Sequence, residues 1–163
     1  MKDNYIELTL QLSRLLREAG LMICSAESCT GGLIAKTLTD LAGSSEWFER
    51  GFVTYSNQSK VDMLGVQSAS IDQFGAVSEE VAAEMVNGAL NHSKAQVAMA
   101  VTGVAGPGGG SEKKPVGTVC FGFAVHTHRV IETQWFSGDR QQVRQAGLGY
   151  ALTRIIALLK APV

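Results

Sequence analysis

The sequence predicts an α/β protein: a three-layer α/β/α sandwich around a mixed β-sheet, in one domain that spans the chain. Three observations carry this. Helix-like and strand-like stretches alternate along most of the length, the pattern of parallel strands joined through helices. The run from Val97 to Val101 is apolar without interruption, as in a strand covered on both faces. Two strand-like runs near the C-terminal end then follow each other across a short turn, which adds an antiparallel hairpin.

In order, residues Tyr5 to Ala19 place Ile6, Leu8, Leu10, Leu12, Leu15, Leu16 and Ala19 at a mostly helical spacing, with Gly20 as the stop. Leu21 to Ala26 is an apolar strand, and Glu27 to Gly32 a turn rich in small residues. A helix from Leu33 ends near Ala42-Gly43, and Ser44 to Phe48 reads as a connecting turn. Gly51 to Tyr55 is aromatic and β-branched, hence a strand. Asn57 is suited to cap a helix that carries Lys60 and Met63 and stops at Gly65. Ser68 to Phe74 holds a helical turn. Ser78, followed by Glu79 and Glu80, starts a strong helix through Ala89. After the Val97–Val101 strand comes an irregular stretch, Gly103 to Gly117. Strands Val116–Val125 and Val130–Phe136 then meet around Thr127-His128, and Ser137-Gly138-Asp139 caps a last helix, Arg140 to Leu159.

The composition excludes several classes. The 163 residues, 45% hydrophobic, are enough for one domain with a core. Fourteen basic against fifteen acidic residues leave a formal charge of −1, without the basic face that nucleic acid calls for. No apolar run approaches the roughly 20 residues that cross a bilayer. Met1 to Tyr5 lack a signal-peptide pattern. Cys24, Cys29 and Cys120 form no metal-ligand spacing, and neither do His92, His126 and His128, so no metal and no cofactor are expected. The reading is a reduced, cytoplasmic, metal-independent protein with no nucleic-acid or membrane partner. Trp47, Phe48 and Phe52 are candidates for a homo-oligomer interface and equally for the core.

Four stretches could carry chemistry. Ser28 and Cys29 sit at a strand-to-helix turn where Gly31 and Gly32 let backbone approach a ligand. The first amides of the following helix, which lack partners within it, could receive negative charge there. Ser28 is open to three roles: helix cap, nucleophile or ligand hydroxyl. Cys29 is a nucleophile if its pKa is depressed and apolar filler if it is buried. No histidine stands ready to complete a Ser-His-Asp triad. In the second stretch, Tyr55 and Lys60 are one residue too far apart for the Tyr-x-x-x-Lys pair of short-chain dehydrogenases. Lys60 is a solvated surface group, or a base if burial lowers its pKa. Thr102-Gly103-Val104-Ala105-Gly106 opens a glycine-rich loop that fits neither a Walker A motif nor a dinucleotide fingerprint. It is an anion-binding loop or a structural flap. Arg140 and Arg144, four apart, share a helix face and could clamp a phosphate or simply face water.

Taken together, AESCTGG (26–32), GSSEWFERGFVTYSNQSK (43–60), GAVSEEV (75–81), TGVAGPGGGSEKKPVGTV (102–119) and FSGDR (136–140) resemble the CinA C-terminal domain family, over roughly Leu8 to Leu159. The resemblance implies hydrolysis of nicotinamide mononucleotide to nicotinate mononucleotide and ammonia by a serine amidohydrolase with a lysine base. Ser28 then maps to the nucleophile, Lys60 to the base, and Tyr55 to a proton-relay or orienting group. Cys29, Thr30, Gly31, Thr102, Gly103, Gly106, Arg140 and Arg144 are candidates for holding the substrate. The alternative is a non-catalytic nucleotide-binding module linked to competence or DNA damage.

Overall fold

The computed structural model describes residues 2–161. Five strands form one sheet in the order β2-β1-β3-β4-β5: β1 Ile23–Glu27, β2 Phe48–Val53, β3 Val97–Gly103, β4 Thr118–Val125 and β5 His128–Trp135. The pairs β1·β2 and β1·β3 are parallel, whereas β3·β4 and β4·β5 are antiparallel. The mixed sheet read from the sequence is therefore present, with the hairpin at one edge. Six helices accompany it: α1 Lys2–Ala19, α2 Leu33–Thr39, α3 Asn57–Leu64, α4 Ser68–Phe74, α5 Glu79–Asn91 and α6 Arg140–Lys160.

The strand alternation divides the core in two. Ile23, Val97, Met99, Val101, Phe121 and Phe123 face a cluster with residues of α1, α2 and α6, including Leu12, Leu16, Ile34 and Leu152. The opposite face presents Cys24, Ala26, Ala98, Ala100 and Ala124 to Leu64, Val81, Met85 and Val86 of α3 and α5. Large residues on one side and small ones on the other let α5 lie close to the sheet. Where α5 crosses the end of α3, Gly88 is required. A Cβ there would lie 2.0 Å from the Leu64 carbonyl oxygen. That contact fixes α3, and with it Lys60, against the rest of the fold.

Several boundaries differ from the sequence reading. β1 begins at Ile23, because the Leu21 amide still donates to Leu16 O at 2.9 Å and closes α1. β2 starts three residues earlier than expected, at Phe48, since its register is set by β1, with Ile23 opposite Phe48 and Glu27 opposite Val53. It ends where β1 turns away, so Tyr55 lies two residues past the strand. Ser56, not Asn57, caps α3: its Oγ accepts from the Ser59 amide at 3.0 Å, and Asn57 is the first helical residue. α2 ends at Thr39, short of Ala42. The hairpin turns at His126 and Thr127, one residue early, with His126 at φ 53°. Of the Ser137-Gly138-Asp139 segment expected to cap α6, Asp139 is the cap, in a reciprocal capping box with Gln142. Trp47 and Phe52 are core residues, and Phe48 packs against the core.

Candidate active site

β1 is buried along its whole length, between β2 and β3, and it delivers Ser28 at its C-terminal end. The Ser28 amide donates to Val101 O of β3 at 2.9 Å, extending the pairing by one residue. The chain then reverses at once. The Gly31 amide donates back to Ser28 O at 3.0 Å, and Gly31 and Gly32 take φ of 58° and 102°, a region that side chains disfavour. A tight strand-to-helix turn of this kind holds the Ser28 hydroxyl at the carboxyl end of an interior strand.

Glu27 was not singled out by the sequence, and it is central. Its side chain is fully buried, and its carboxylate accepts from the first-turn amides of α2: Oε1 from Ile34 at 2.8 Å and Oε2 from Ala35 at 3.1 Å. The anion expected at this helix start is thus supplied by the chain itself. The available signal was a carboxylate ending a buried apolar run; its reach of seven residues exceeds the usual local cap. Glu27→Ala leaves the buried Ile34 amide without an acceptor, at about 1–3 kcal/mol, and the part-buried Ala35 amide at less. We expect Glu27→Ala to unfold at distinctly lower urea concentration than the wild type, and Glu27→Gln, which keeps one acceptor, to fall between them.

Lys60 approaches Ser28 from α3. Its Nζ lies 2.9 Å from Ser28 Oγ and 2.8 Å from Thr54 O, with Tyr55 O at 3.4 Å and Ser56 O at 3.5 Å. The residue is 1% exposed, and among the described residues no carboxylate forms an ion pair with it. Burial holds its pKa below the ordinary lysine value. Nζ donates to Ser28 Oγ and to the carbonyls, and once the amine is neutral the same 2.9 Å contact lets its lone pair accept from the Ser28 hydroxyl. The solvated alternative for Lys60 is thereby excluded.

The remaining candidates separate into groups. Tyr55 is 60% exposed; its hydroxyl accepts from Arg140 Nη2 at 2.9 Å and does not reach Lys60, which touches only its backbone carbonyl. Arg140 also donates through Nη1 to Gly106 O at 2.8 Å, so three distant segments meet at one guanidinium. Arg144 does not pair with Arg140 on a common ligand in this arrangement. Its Nε donates to Cys29 O at 3.0 Å and its Nη2 to Thr30 O at 2.9 Å. Gly103 packs on the Ser28 turn, where a Cβ would come 3.1 Å from Cys29 Sγ. Thr102 is buried and donates its hydroxyl to Ala76 O at 2.9 Å, a tie to the segment before α5.

Cys29 takes the filler role. It belongs to the core, and burial pushes its thiol up to about 11, opposite to the depression a thiolate nucleophile needs. A cavity of about 310 Å³ beside the turn is lined by Leu33, Arg140, Gln141, Arg144 and Gln145. A larger one of about 480 Å³ lies between α1, α2 and α6 and includes none of the Ser28 and Lys60 pair. Among the described residues no group of His, Cys, Asp or Glu could hold a metal ion, and no helix is long and apolar enough to cross a membrane.

Comparison with known proteins supplies the context for this geometry. Residues 6–159 match the model of the CinA C-terminal domain. The nicotinamide-nucleotide amidohydrolase PncC of Escherichia coli strain K12 is 51% identical over 151 residues, 92% of each chain. Its namesake from Enterobacter agglomerans is 53% identical over 147 residues, 90% of each. The crystal structure of the competence/damage inducible protein CihA from Agrobacterium tumefaciens superposes with a TM-score of 0.91 at 46% identity, covering 95% of both chains.

Proposed function

The chain belongs to the CinA C-terminal domain family, and from this premise we propose that it hydrolyses nicotinamide mononucleotide to nicotinate mononucleotide and ammonia, with Ser28 as nucleophile and Lys60 as base. Relatives of the same length that share half of its residues carry that activity in their names. The observation that supports the residue roles is the 2.9 Å approach of a buried, unpaired lysine amine to a serine hydroxyl.

Lys60 takes the Ser28 proton as Oγ attacks the carboxamide carbon, which the cationic pyridinium ring makes electron-poor. The oxygen of the tetrahedral intermediate is received by the amides of Cys29 and Thr30, neither of which has a backbone acceptor among the described residues. Lys60 returns the proton to the leaving nitrogen, and ammonia departs. Water then attacks the Ser28 ester, giving its proton to Lys60. Cleavage of the ester frees nicotinate mononucleotide, and Ser28 regains its proton.

The exposed Arg140 guanidinium, beside Gly106 and the smaller cavity, takes the phosphate, and Tyr55 orients the nucleotide through its bond to Arg140. Lys60, with no link to the Tyr55 hydroxyl, carries the proton itself. The three cysteines are free and buried, which suits a reducing cytoplasm. The formal charge of −1 favours no polyanion as partner.

The test is ammonia release from nicotinamide mononucleotide against free nicotinamide. Turnover of the nucleotide with kcat/KM at least about 100-fold above that of the free base is expected, since remote phosphate contacts contribute transition-state binding. Binding of the nucleotide with no ammonia released would establish the non-catalytic alternative instead.

A further inference from the structure

The Arg144 side chain is spent on the backbone of the nucleophile turn, and this gives it a different task from the one its spacing with Arg140 suggested. It reaches from α6 to two successive carbonyls, Cys29 O at 3.0 Å and Thr30 O at 2.9 Å. Among the described residues the single cis peptide bond is Gly106–Pro107, so the Cys29–Thr30 bond is trans. In a trans peptide the N–H points opposite to its own C=O. Pinning the Cys29 carbonyl toward α6 therefore aims the Thr30 N–H away from α6. The neighbouring unit is fixed in the same manner: Ser28 O accepts from the Gly31 amide, which sets the direction of the Cys29 N–H. The two amides so aimed donate to no backbone acceptor among the described residues.

Space for the guanidinium comes from Gly31, where a Cβ would sit 3.4 Å from Arg144 Nη2. The cation also stabilises the turn electrostatically, because each carbonyl it binds polarises the amide of the same peptide unit. Glu27 holds the far side of the turn through α2. The Ser28 turn thus sits between two fixed charges, one gripping amides and the other carbonyls.

We infer that Arg144 is a positioning residue of the oxyanion site: it locks the Cys29–Thr30 peptide so that the Thr30 N–H faces the developing negative charge, and it does not bind the substrate phosphate. The inference rests on the amidohydrolase reading. Removing one oxyanion donor lowers kcat about 10²–10³-fold in other hydrolases, and loss of the group that aims a donor belongs in the same range.

The experiment compares wild type, Arg144→Gln and Arg144→Lys on nicotinamide mononucleotide and on nicotinamide riboside, which lacks the phosphate. We expect kcat to fall about 10²-fold in Arg144→Gln with KM changed less than about threefold. The loss in kcat/KM should be the same for both substrates, since phosphate plays no part in it. Arg144→Lys, able to reach one carbonyl but not fork across two, should lie between. The acid limb of the pH–rate profile should stay in place, which a general disruption around Lys60 would move. Guanidinium ion added to Arg144→Ala should restore part of kcat. A loss confined to the phosphate-bearing substrate, or one seated in KM, would overturn the inference and make Arg144 a phosphate ligand. Should Arg144→Gln fail to fold, the same two-substrate ratio in Arg144→Lys decides. A wild-type protein that releases no ammonia sinks the amidohydrolase reading itself, an outcome distinct from either of these.

Discussion

Ser28→Ala is expected to release ammonia from nicotinamide mononucleotide at least about 10⁴-fold more slowly than the wild type, with substrate binding retained. The proposed nucleophile has no substitute nearby. Cys29 is the adjacent candidate, yet burial pushes its thiol up to about 11, which keeps it protonated at neutral pH. Its sulfur is also part of the core with Ile34 and Val101. Cys29→Ala should accordingly keep kcat within about tenfold of the wild type, its main effect being a smaller core side chain. The two variants read together by steady-state ammonia release identify the nucleophile. Full activity in Ser28→Ala, or a loss seen only in Cys29→Ala, would move the chemistry off the serine. Retained binding by Ser28→Ala is anticipated because the hydroxyl touches Lys60 and none of the groups assigned to the phosphate.

How much of this was legible in the sequence depends on the range of the interaction. The helix periods, the stop at Gly65 and the cap at Ser78 are local, and they lie where the residues put them. The β2 boundary was not local. Its residues favour a strand from Gly51, but pairing with β1 decides that Phe48 begins it. The fate of Lys60 was open for the same reason. Nothing in its neighbourhood along the chain says that α3 will be pressed against α5 at Gly88 until the amine is sealed beside Ser28. Family resemblance supplied that pairing before geometry could. The roles of Glu27 and Arg144 were out of reach, since each acts on backbone groups, 7 or 8 and 114 or 115 residues away respectively, that have no side-chain signature. Two arginines one turn apart look alike in sequence, and only tertiary packing sends one to the turn carbonyls and the other to Tyr55 and Gly106.

Lys60 offers the second large effect and a thermodynamic signature of its own. Lys60→Met removes the base and should lower kcat by at least about 10³-fold. Lys60→Arg should do no better, because a guanidinium stays charged and cannot take the serine proton. In the wild type the rate should fall on the acid side as Lys60 becomes protonated, at a pH below the ordinary lysine value because burial disfavours the ammonium. A rate flat down to pH 5 would remove Lys60 from the role of base. The same shift links to stability. In the unfolded chain Lys60 titrates near 10.4, and in the fold it titrates lower. Between these values the unfolded state holds a proton that the native state lacks, so unfolding free energy rises with pH, at up to about 1.4 kcal/mol per unit. Above 10.4 both states are neutral and below the native pKa both are charged, so the slope ends at each side. Lys60→Met lacks this contribution. Its absolute stability reflects two opposing changes, relief of the buried amine and loss of the bond to Thr54 O. The difference between wild type and Lys60→Met, measured by urea unfolding from pH 6 to 10, isolates the titration. It should move in favour of the wild type as pH rises. A difference that is constant over that range would mean that Lys60 keeps its ordinary pKa in the fold, and a lysine with that pKa is not the base that activates Ser28.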